Sequence, residues 1–421
     1  MPDSSGATVL DDLPEVIIVG EILVRLPAVD IFRCRAVRRS WRRATSTNHF
    51  MLAHHCRQPS LPIIYAVVAS RDSSRLVAFG RDAVDGKVCR VIRCAVPDAQ
   101  HLTLHAALDG LLLVSNLHRE KLFYVCNPAT RQCARLPQLE VLCWCIEIAG
   151  FYRHHPSGEY RVLYWENNFE DDYDEGNIAT YFVFTVGSAD EPRCIWRWSP
   201  RVPPTSIEYV LLQGLLDEGD PPPVLHRGSL HWMVAMLVPV VLDQEPDGND
   251  TAIEDIIAFD TTAETFRWMR RPAQTGPWPL LFEVDGAMAL CGTRDGSSFT
   301  DIQVLVMQDY EAGAWATIYR IPAWTPLDTS QFLGKLEPHF ACRMVVLNER
   351  ELLIKLPPGQ LLHYQINRQL LRDVVVKCDK EGEDRVGDLD ITLHSLQESI
   401  IPFSFFSMQE EDALLFDARR R

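Results

Sequence analysis

The chain has 421 residues, with 41 Lys and Arg against 57 Asp and Glu, which gives a formal charge of −16. Hydrophobic residues make up 47% and charged residues 23%, ordinary values for a globular chain, so disorder is excluded as the main state. The length predicts two or three domains, or a small domain before a large repeat architecture, and the acidic balance disfavours nucleic acid as a partner, because negative charge repels phosphate.

The first residues predict no targeting signal. The stretch MPDSSGATVL lacks a basic start followed by an apolar core, so we expect no signal peptide, and residues 1–9 are predicted to be disordered. The longest apolar run, residues 232–242, is too short to span a bilayer and contains Pro239. We therefore expect no membrane partner and a cytoplasmic or nuclear location, or both.

Residues 10–52 predict a small helical domain. Apolar residues recur there at three- and four-residue steps, as on one face of a helix: Val16, Val19, Ile22, Leu23, Leu26, and then Ile31, Cys34, Val37 and Trp41. Pro27 ends the first of these two series. Seven arginines against six acids give residues 1–50 a charge of +1, which leaves −17 for the remainder. A domain of this size has a marginal core, so its apolar face is expected to need a partner.

The order of residues in this region resembles the F-box family. The matching positions are Leu13, Pro14, Glu21, Ile22, Leu23, Arg25, Leu26, Pro27, Ile31, Arg33, Arg35, Val37, Trp41 and Phe50. They follow the family pattern of Leu-Pro, Glu-Ile-Leu-x-Arg-Leu-Pro, Leu-x-Arg-x-Arg-x-Val, Trp and a closing Phe. Six residues separate Pro14 from Glu21, one more than in that pattern, and Gly20 lies in the first helix.

The resemblance implies a protein partner, the Skp-type adaptor that connects F-box proteins to a cullin–RING ubiquitin ligase. Carried over to this sequence, the adaptor-facing residues would be Leu13, Pro14, Ile22, Leu23, Leu26, Pro27 and Ile31. Val37 and Trp41 would instead hold the helices together. The alternative is a small helical domain whose apolar residues are all internal.

Residues 60–405 predict short β-strands separated by turns, with two repeated units. In one, an apolar strand follows a glycine turn, and glycine readily adopts the positive φ of tight turns; these turns are Asp109-Gly110, Arg227-Gly228 and Asp285-Gly286. In the other, an Asn or Asp turn lies between an apolar strand and an amphipathic return strand; its turn residues are Asn127, Asp260 and Asp309.

The spacing of these units favours a β-propeller. Asp260 and Asp309 lie 49 residues apart, which is close to the length of a four-stranded blade, and the region has room for about six to eight such blades. The predicted fold class is therefore mainly β with a small N-terminal α-helical domain, F-box helices followed by a β-propeller-like domain. A β-sandwich is the alternative, because the repeats are degenerate.

The β-rich region also resembles the F-box-associated, kelch-like propeller of plant F-box proteins. The resemblance is carried by DGLLLV at 109–114, NPATR at 127–131, Leu136-Pro137 and the closing HSLQESIIPF at 394–403. It implies a region that holds a target protein for ubiquitination, in the substrate-recognition subunit of a Skp–cullin–F-box (SCF) ubiquitin ligase. Neither the target nor the residues that bind it are indicated, and residues 406–421 are predicted to be a C-terminal tail.

No catalytic signature accompanies these features. The sequence has no G-x-S-x-G, G-x-x-x-x-G-K or H-E-x-x-H motif, so a non-catalytic subunit without cofactor or metal is expected. The alternative is a propeller-fold enzyme or ligand-binding module with a helical cap. The acidic run at residues 170–175 is typical of a solvated loop. A further hypothesis is that its negative charge attracts a basic segment of a target protein. Trp278 and Trp324 either anchor a protein partner or cap the blades.

The twelve cysteines include no C-x-x-C pair, so a zinc module is not expected. A disulfide framework is typical of short secreted chains. The cysteines are therefore predicted to be small, reduced packing residues.

Overall fold

A computed structural model describes the chain over eighteen ranges. These are residues 13–68, 73–79, 90–96, 102–116, 122–137, 146–168, 178–199, 204–215, 221–234, 252–272, 279–284, 286–293, 301–322, 343–348, 351–356, 360–365, 370–373 and 386–406. The predicted disordered start, the acidic run at 170–175, Trp278, Trp324 and the tail beyond Phe406 lie outside the described residues.

The chain divides into two compact units. The first unit comprises Met1–Leu61, Ile92–Leu136 and Ser395–Arg421, and the second comprises Pro62–Val91 and Pro137–His394. The first unit thus joins the N-terminal helices to one group of strands and to a segment near the end of the sequence.

Four short helices begin the first unit. Helix α1 (Glu15–Ile17) continues through a π-helical turn (Ile18–Ile22) and a 3₁₀ turn (Leu23–Arg25). The next helices are α2 (Ala28–Val37), α3 (Arg39–Thr45) and α4 (Asn48–Arg57). A π-helical turn is wider than an α-helical one, so it accommodates the additional residue before Glu21, and Gly20 lies within it.

The described strands form six four-stranded sheets. Sheet A contains β1 (Ser60–Val68), β2 (Ser73–Ala78), β3 (Arg90–Val91) and β24 (Val386–Gln397), in the order β24-β1-β2-β3. Sheet B contains β4 (Leu102–Leu108), β5 (Leu111–Asn116), β6 (Leu122–Asn127) and β7 (Gln132–Arg135). Sheet C contains β8 (Ile146–Arg153), β9 (Tyr160–Asn168), β10 (Ile178–Thr185) and β11 (Arg193–Trp196).

The other three sheets follow along the chain, after helix α5 (Ser206–Gln213). Sheet D contains β12 (Val224–His226), β13 (Ser229–Met233), β14 (Ala252–Asp260) and β15 (Thr265–Pro272). Sheet E contains β16 (Leu280–Val284), β17 (Ala287–Thr293), β18 (Asp301–Asp309) and β19 (Ala314–Pro322). Sheet F contains β20 (Arg343–Asn348), β21 (Glu351–Leu356), β22 (Gln360–Gln365) and β23 (Leu370–Asp373). Sheets B to F are antiparallel meanders in chain order.

Both repeated turns predicted from the sequence are present. The glycines at 110, 228 and 286 have φ of +81°, +73° and +77° in the two-residue loops β4–β5, β12–β13 and β16–β17. The side chain at each of the other turns accepts two backbone N–H bonds, from residues two and three positions later. The distances are 3.0 and 3.2 Å at Asn127, 2.8 and 2.9 Å at Asp260, and 3.0 and 3.0 Å at Asp309. These local bonds fix the return of the outer strand in three sheets.

Successive sheets of the second unit pack face to face. Phe259 of sheet D packs with Tyr152 of sheet C, while Ile256 of sheet D shares a core cluster with Leu290 of sheet E. Further clusters join sheet E to sheet F and sheet F to sheet A. A run of small sheets, each packed on the next, is a propeller arrangement. The predicted fold class is confirmed, and the sandwich alternative, which needs only two sheets, is excluded.

Candidate adaptor-binding surface

The N-terminal helices do not close their core alone. The buried residues of this core, called the helical core below, are Ile18, Leu23, Val24, Ala28, Ile31, Trp41, Phe50, Met51 and Ile400. Ile400 belongs to residues 395–406, the C-terminal segment, and is 3% exposed. Ile401 of the same segment and Ala129 of the β6–β7 turn pack against the cluster as partly buried residues.

Polar contacts fix the C-terminal segment to α2 and α4. A carboxylate oxygen of Glu398 accepts a hydrogen bond from the backbone N–H of Ala28 at 2.9 Å. The side-chain amide of Gln397 donates to the carbonyls of His55 and Gln58, at 2.9 and 3.1 Å. Buried backbone groups need such partners, so the segment completes the hydrogen bonding of both helices.

The turn at Leu26 and Pro27 is fixed by α4. The carbonyl of Leu26 accepts hydrogen bonds from His54 Nε2 at 2.8 Å and from Gln58 Nε2 at 3.2 Å. His54 is fully buried, and its burial lowers the pKa of the imidazole, which the Leu26 carbonyl partly opposes. A neutral ring can carry its one proton on Nε2 and donate it here. This arrangement leaves Leu26 half-buried and Pro27 exposed.

Arg35 connects α2 to the end of α3 and lies beside Phe32. Its guanidinium donates to the Thr45 hydroxyl at 3.0 Å and to the Thr45 carbonyl at 2.6 Å. Burial lowers the pKa of this guanidinium, with the positive charge of Arg42 acting in the same direction. The guanidinium carbon lies 5.2 Å from the centre of the Phe32 ring, a cation–π contact that restrains an aromatic side chain facing solvent.

The predicted adaptor-facing residues occupy three environments. Pro14 and Pro27 are exposed, and Leu13, Ile22 and Leu26 are half-buried. Leu23 and Ile31 are 3% and 0% exposed, inside the helical core. The assignment of these seven residues to an adaptor surface stays a prediction.

The two residues predicted to hold the helices together differ in their environment. Trp41 is buried, whereas Val37 is 69% exposed. Arg38, between α2 and α3, has φ −135° and ψ 136°. This extended residue interrupts the series from Ile31 to Trp41, so Val37 ends α2 without the orientation that a continuous helix would give it.

The exposed large apolar side chains concentrate in this region. Among the described residues, six of the seven lie between positions 16 and 52: Val16, Ile17, Val29, Phe32, Val37 and Leu52. The seventh is Ile318 on β19. Val29 and Phe32 stand three positions apart on α2, so they share one face of that helix. These residues were not assigned to the partner surface from the sequence, although the spacing of Val29 and Phe32 is a usable signal.

The same helical region also exposes charged side chains. Arg25 pairs with Glu21 at 2.7 Å and Arg33 with Asp30 at 2.8 Å, all four at the surface or partly exposed. Exposed pairs of this kind add little stability. The arginines at 38, 39, 42 and 43 are also exposed, so the helical region combines exposed apolar side chains with several exposed arginines.

The described part of the chain shows neither a metal centre nor a membrane helix. No group of three or more His, Cys, Asp or Glu residues there is arranged to hold a metal ion. No helix among those residues has the length and apolar character needed to cross a membrane.

Curated proteins similar to this chain include F-box proteins of Arabidopsis thaliana. One is 32% identical over 138 residues, which cover 33% of this chain and 35% of that protein. A second, described as a putative F-box protein, is 26% identical over 320 residues, covering 73% and 72% of the two chains. The predicted resemblance to plant F-box proteins is confirmed. A third F-box protein is 26% identical over 146 residues, or 37% of its length, so two of the three alignments span little more than a third of the relative.

Other comparisons add no functional information. No protein-family model matches the chain. Similar solved structures include an oligogalacturonate lyase in complex with manganese, with a TM-score of 0.37 and 10% identity over 77% of this chain and 87% of that one. YCF48 bound to D1 peptide has a TM-score of 0.31 and 10% identity over 76% and 83% of the two chains. Similarity at this level carries no argument about function.

Proposed function

We propose that this chain is the substrate-recognition subunit of an SCF ubiquitin ligase. In this proposal the N-terminal helices bind a Skp-type adaptor and the β-propeller domain binds a target protein. The observation that carries it is the concentration of exposed apolar side chains between Val16 and Leu52. The F-box names of the similar Arabidopsis proteins support the same role.

The proposed mechanism is geometric and assigns no catalytic residue to the chain. A receptor that binds adaptor and target together raises the local concentration of target lysines near the ubiquitin-carrying enzyme. The packing of the C-terminal segment against the N-terminal helices matters for this role. A firmly packed contact there restricts how far a bound adaptor can move relative to the rest of the first unit.

Phe32 is the expected anchor of the adaptor contact. It is 36% exposed, it is restrained by Arg35, and aromatic residues are over-represented among the energetically dominant residues of interfaces. Val29 on the same helix face would add apolar contact. Pro14, Pro27, Leu13, Ile22 and Leu26, the accessible members of the set predicted from the sequence, would extend the surface around the first helical turns.

The test is co-purification of the full chain with a purified Skp-type adaptor. Phe32→Asp should weaken binding at least about tenfold, since a charge would be buried in an apolar contact. Ile318→Asp is the matched control, because Ile318 is similarly exposed, at 45%, but lies on β19. Circular dichroism should show that both variants retain the wild-type spectrum.

Equal binding by wild type and Phe32→Asp would reject Phe32 as the anchor. Absence of binding by the folded wild-type chain would reject the adaptor proposal itself. Leu26→Asp examines the surface predicted from the sequence: we expect loss of binding, accompanied by lower stability because Leu26 also packs on the helical core.

A further inference from the structure

Two cysteines face each other across the hairpin of β6 and β7. Cys126 and Cys133 are directly opposite in the antiparallel register, next to the pair formed by Asn127 and Gln132. Their sulfur atoms lie 3.0 Å apart. No disulfide joins them.

The backbone at this position already fits a disulfide. Opposed residues of antiparallel strands have Cα atoms about 4.5–5.5 Å apart. A disulfide accepts Cα separations of about 4.4–6.8 Å. The two thiols can therefore be joined by side-chain rotation, without shifting either strand.

The two thiols differ in access to solvent. Cys126 is fully buried, whereas Cys133 is half-buried and can be reached from solvent. Hydrogen bonding of Cys126 to Cys133, and then to Cys94, raises the pKa of the Cys126 thiol, and burial adds to the effect. The bond with Cys126 lowers the pKa of Cys94. Cys126 therefore stays protonated to a higher pH than an ordinary thiol. Because Cys133 is the more accessible of the two, it is the thiol that a dissolved oxidant contacts first.

We propose that Cys126 and Cys133 form a reversible disulfide with a small disulfide such as oxidised glutathione. The Cys133 thiolate attacks one glutathione sulfur, which forms a mixed disulfide and releases one glutathione thiolate. Cys126 gives its proton to that thiolate and attacks the Cys133 sulfur, displacing the second glutathione. Two protein thiols are oxidised and one glutathione disulfide is reduced to two glutathione molecules. This chemistry requires neither the adaptor nor a target protein.

The crosslink would lie at the base of a turn that contacts the helical core. Asn127 is fully buried, and its side-chain amide donates to the carbonyl of Ser399 in the C-terminal segment at 3.0 Å. Ala129, two residues further, packs against the helical core. Oxidation would therefore hold together the two strands that present this turn to the F-box helices.

Peptide mapping of the full chain is a sharp test, because Arg131 lies between the two cysteines. The folded chain is incubated with oxidised glutathione, its remaining thiols are alkylated, and it is digested with trypsin. We expect peptide 122–131 linked to peptide 132–135 by a disulfide, and loss of this species after treatment with reduced dithiothreitol. Absence of the linked pair, with glutathione attached to the exposed Cys56 as proof of reactivity, would overturn the proposal.

Two variants separate the pairing from general thiol reactivity. Cys133→Ser should abolish the linked pair, whereas Cys194→Ser, which removes an exposed thiol on β11, should leave its yield unchanged. A dominant link between Cys94 and Cys126 in the wild type would overturn the proposed pairing. If Cys133→Ser fails to fold, peptide mapping of the wild type alone still shows whether Cys126 and Cys133 become linked.

Discussion

Glu398 supplies a hydrogen-bond acceptor to the backbone N–H of Ala28 at 2.9 Å, across 370 positions of sequence. Ala28 is the first residue of α2, and Pro27 before it provides no side-chain cap. The first N–H groups of a helix lack partners within the helix, and a negative charge there is favourable. The C-terminal segment thus caps a helix of the proposed adaptor-binding region.

Removing this cap should loosen α2. We expect Glu398→Ala to lower the free energy of opening of α2 by about 1 kcal/mol, because both the acceptor and the charge at the helix start are lost. Glu398→Gln, which keeps an acceptor oxygen, should cost less. Hydrogen exchange at the α2 amides measures the difference. Identical exchange in wild type and Glu398→Ala would contradict the capping role.

Ile400 should matter more for the helices than its position near the end of the sequence suggests. Ile400→Ala removes buried methyl groups from the helical core and should destabilise the first unit by about 2–5 kcal/mol. Ile401→Ala, at a half-buried position, should cost clearly less. Urea unfolding followed by circular dichroism compares the variants, and similar midpoints for both would show that Ile400 is not a core residue.

Gly110 and Gly286 lie in equivalent turns. Replacing each by alanine distinguishes the energetic cost of backbone strain from that of close packing. A Cβ on Gly110 would lie 2.5 Å from the Ser399 Cβ and 2.9 Å from the Gln397 carbonyl oxygen, whereas a Cβ on Gly286 meets nothing within 4 Å. Both glycines have positive φ. We therefore expect Gly286→Ala to cost about 1 kcal/mol, from the left-handed backbone alone, and Gly110→Ala to cost more.

Thermal unfolding of the two glycine variants provides the comparison. Only Gly110→Ala should also increase hydrogen exchange in the C-terminal segment, because Ser399 must move to make room. An equal loss of stability in both variants would show that the close approach of Ser399 has no energetic weight.

His231 should make stability depend on pH in the acid range. The ring is fully buried and contacts the Val224 carbonyl at 3.1 Å and the Tyr310 hydroxyl at 2.9 Å. Burial lowers its pKa from 6.5 to about 4. Between these two values the unfolded chain binds a proton that the folded chain does not, so the contribution is complete above pH 6.5 and is lost as the pH falls towards 4.

The predicted loss for His231 is about 3 kcal/mol over that interval. Unfolding free energies measured by urea titration at several pH values should show a shallower slope for His231→Gln than for the wild type. His49→Gln, the same substitution at an exposed position, is the comparison variant. A wild-type slope in His231→Gln would show that this histidine does not titrate on unfolding in the expected range.

The repeated turns were predictable because their chemistry is local. Gly110 and Gly286 mark positive φ, and Asn127 and Asp260 bond to backbone groups two and three residues away, so a short window of sequence contains the whole cause. The spacing of such turns then indicates blades. The helical pattern of residues 10–52 was readable for the same reason, since apolar periodicity acts over a few turns.

The contacts between the N-terminal helices and the C-terminal segment were not predictable in this way. Nothing near Ala28 indicates that its partner is Glu398, and nothing near Ile31 indicates that Ile400 belongs to the same core, because both depend on the tertiary fold. The exposure of Val37 depends on one extended residue, Arg38, which interrupts an otherwise regular apolar spacing. Sequence periodicity distinguishes apolar faces from polar ones, but it does not say which apolar side chains the chain itself covers.

The order in which a ribosome makes the chain gives the position of Ile400 a further meaning. Helices α1 to α4 are synthesised first, yet the last buried member of their core and the cap of α2 are synthesised after every strand of the six sheets. A nascent chain therefore holds these helices in an incomplete state throughout elongation. Their packing is finished only when all six sheets have been synthesised, so the proposed adaptor surface would be complete only on a chain that already contains the β domain.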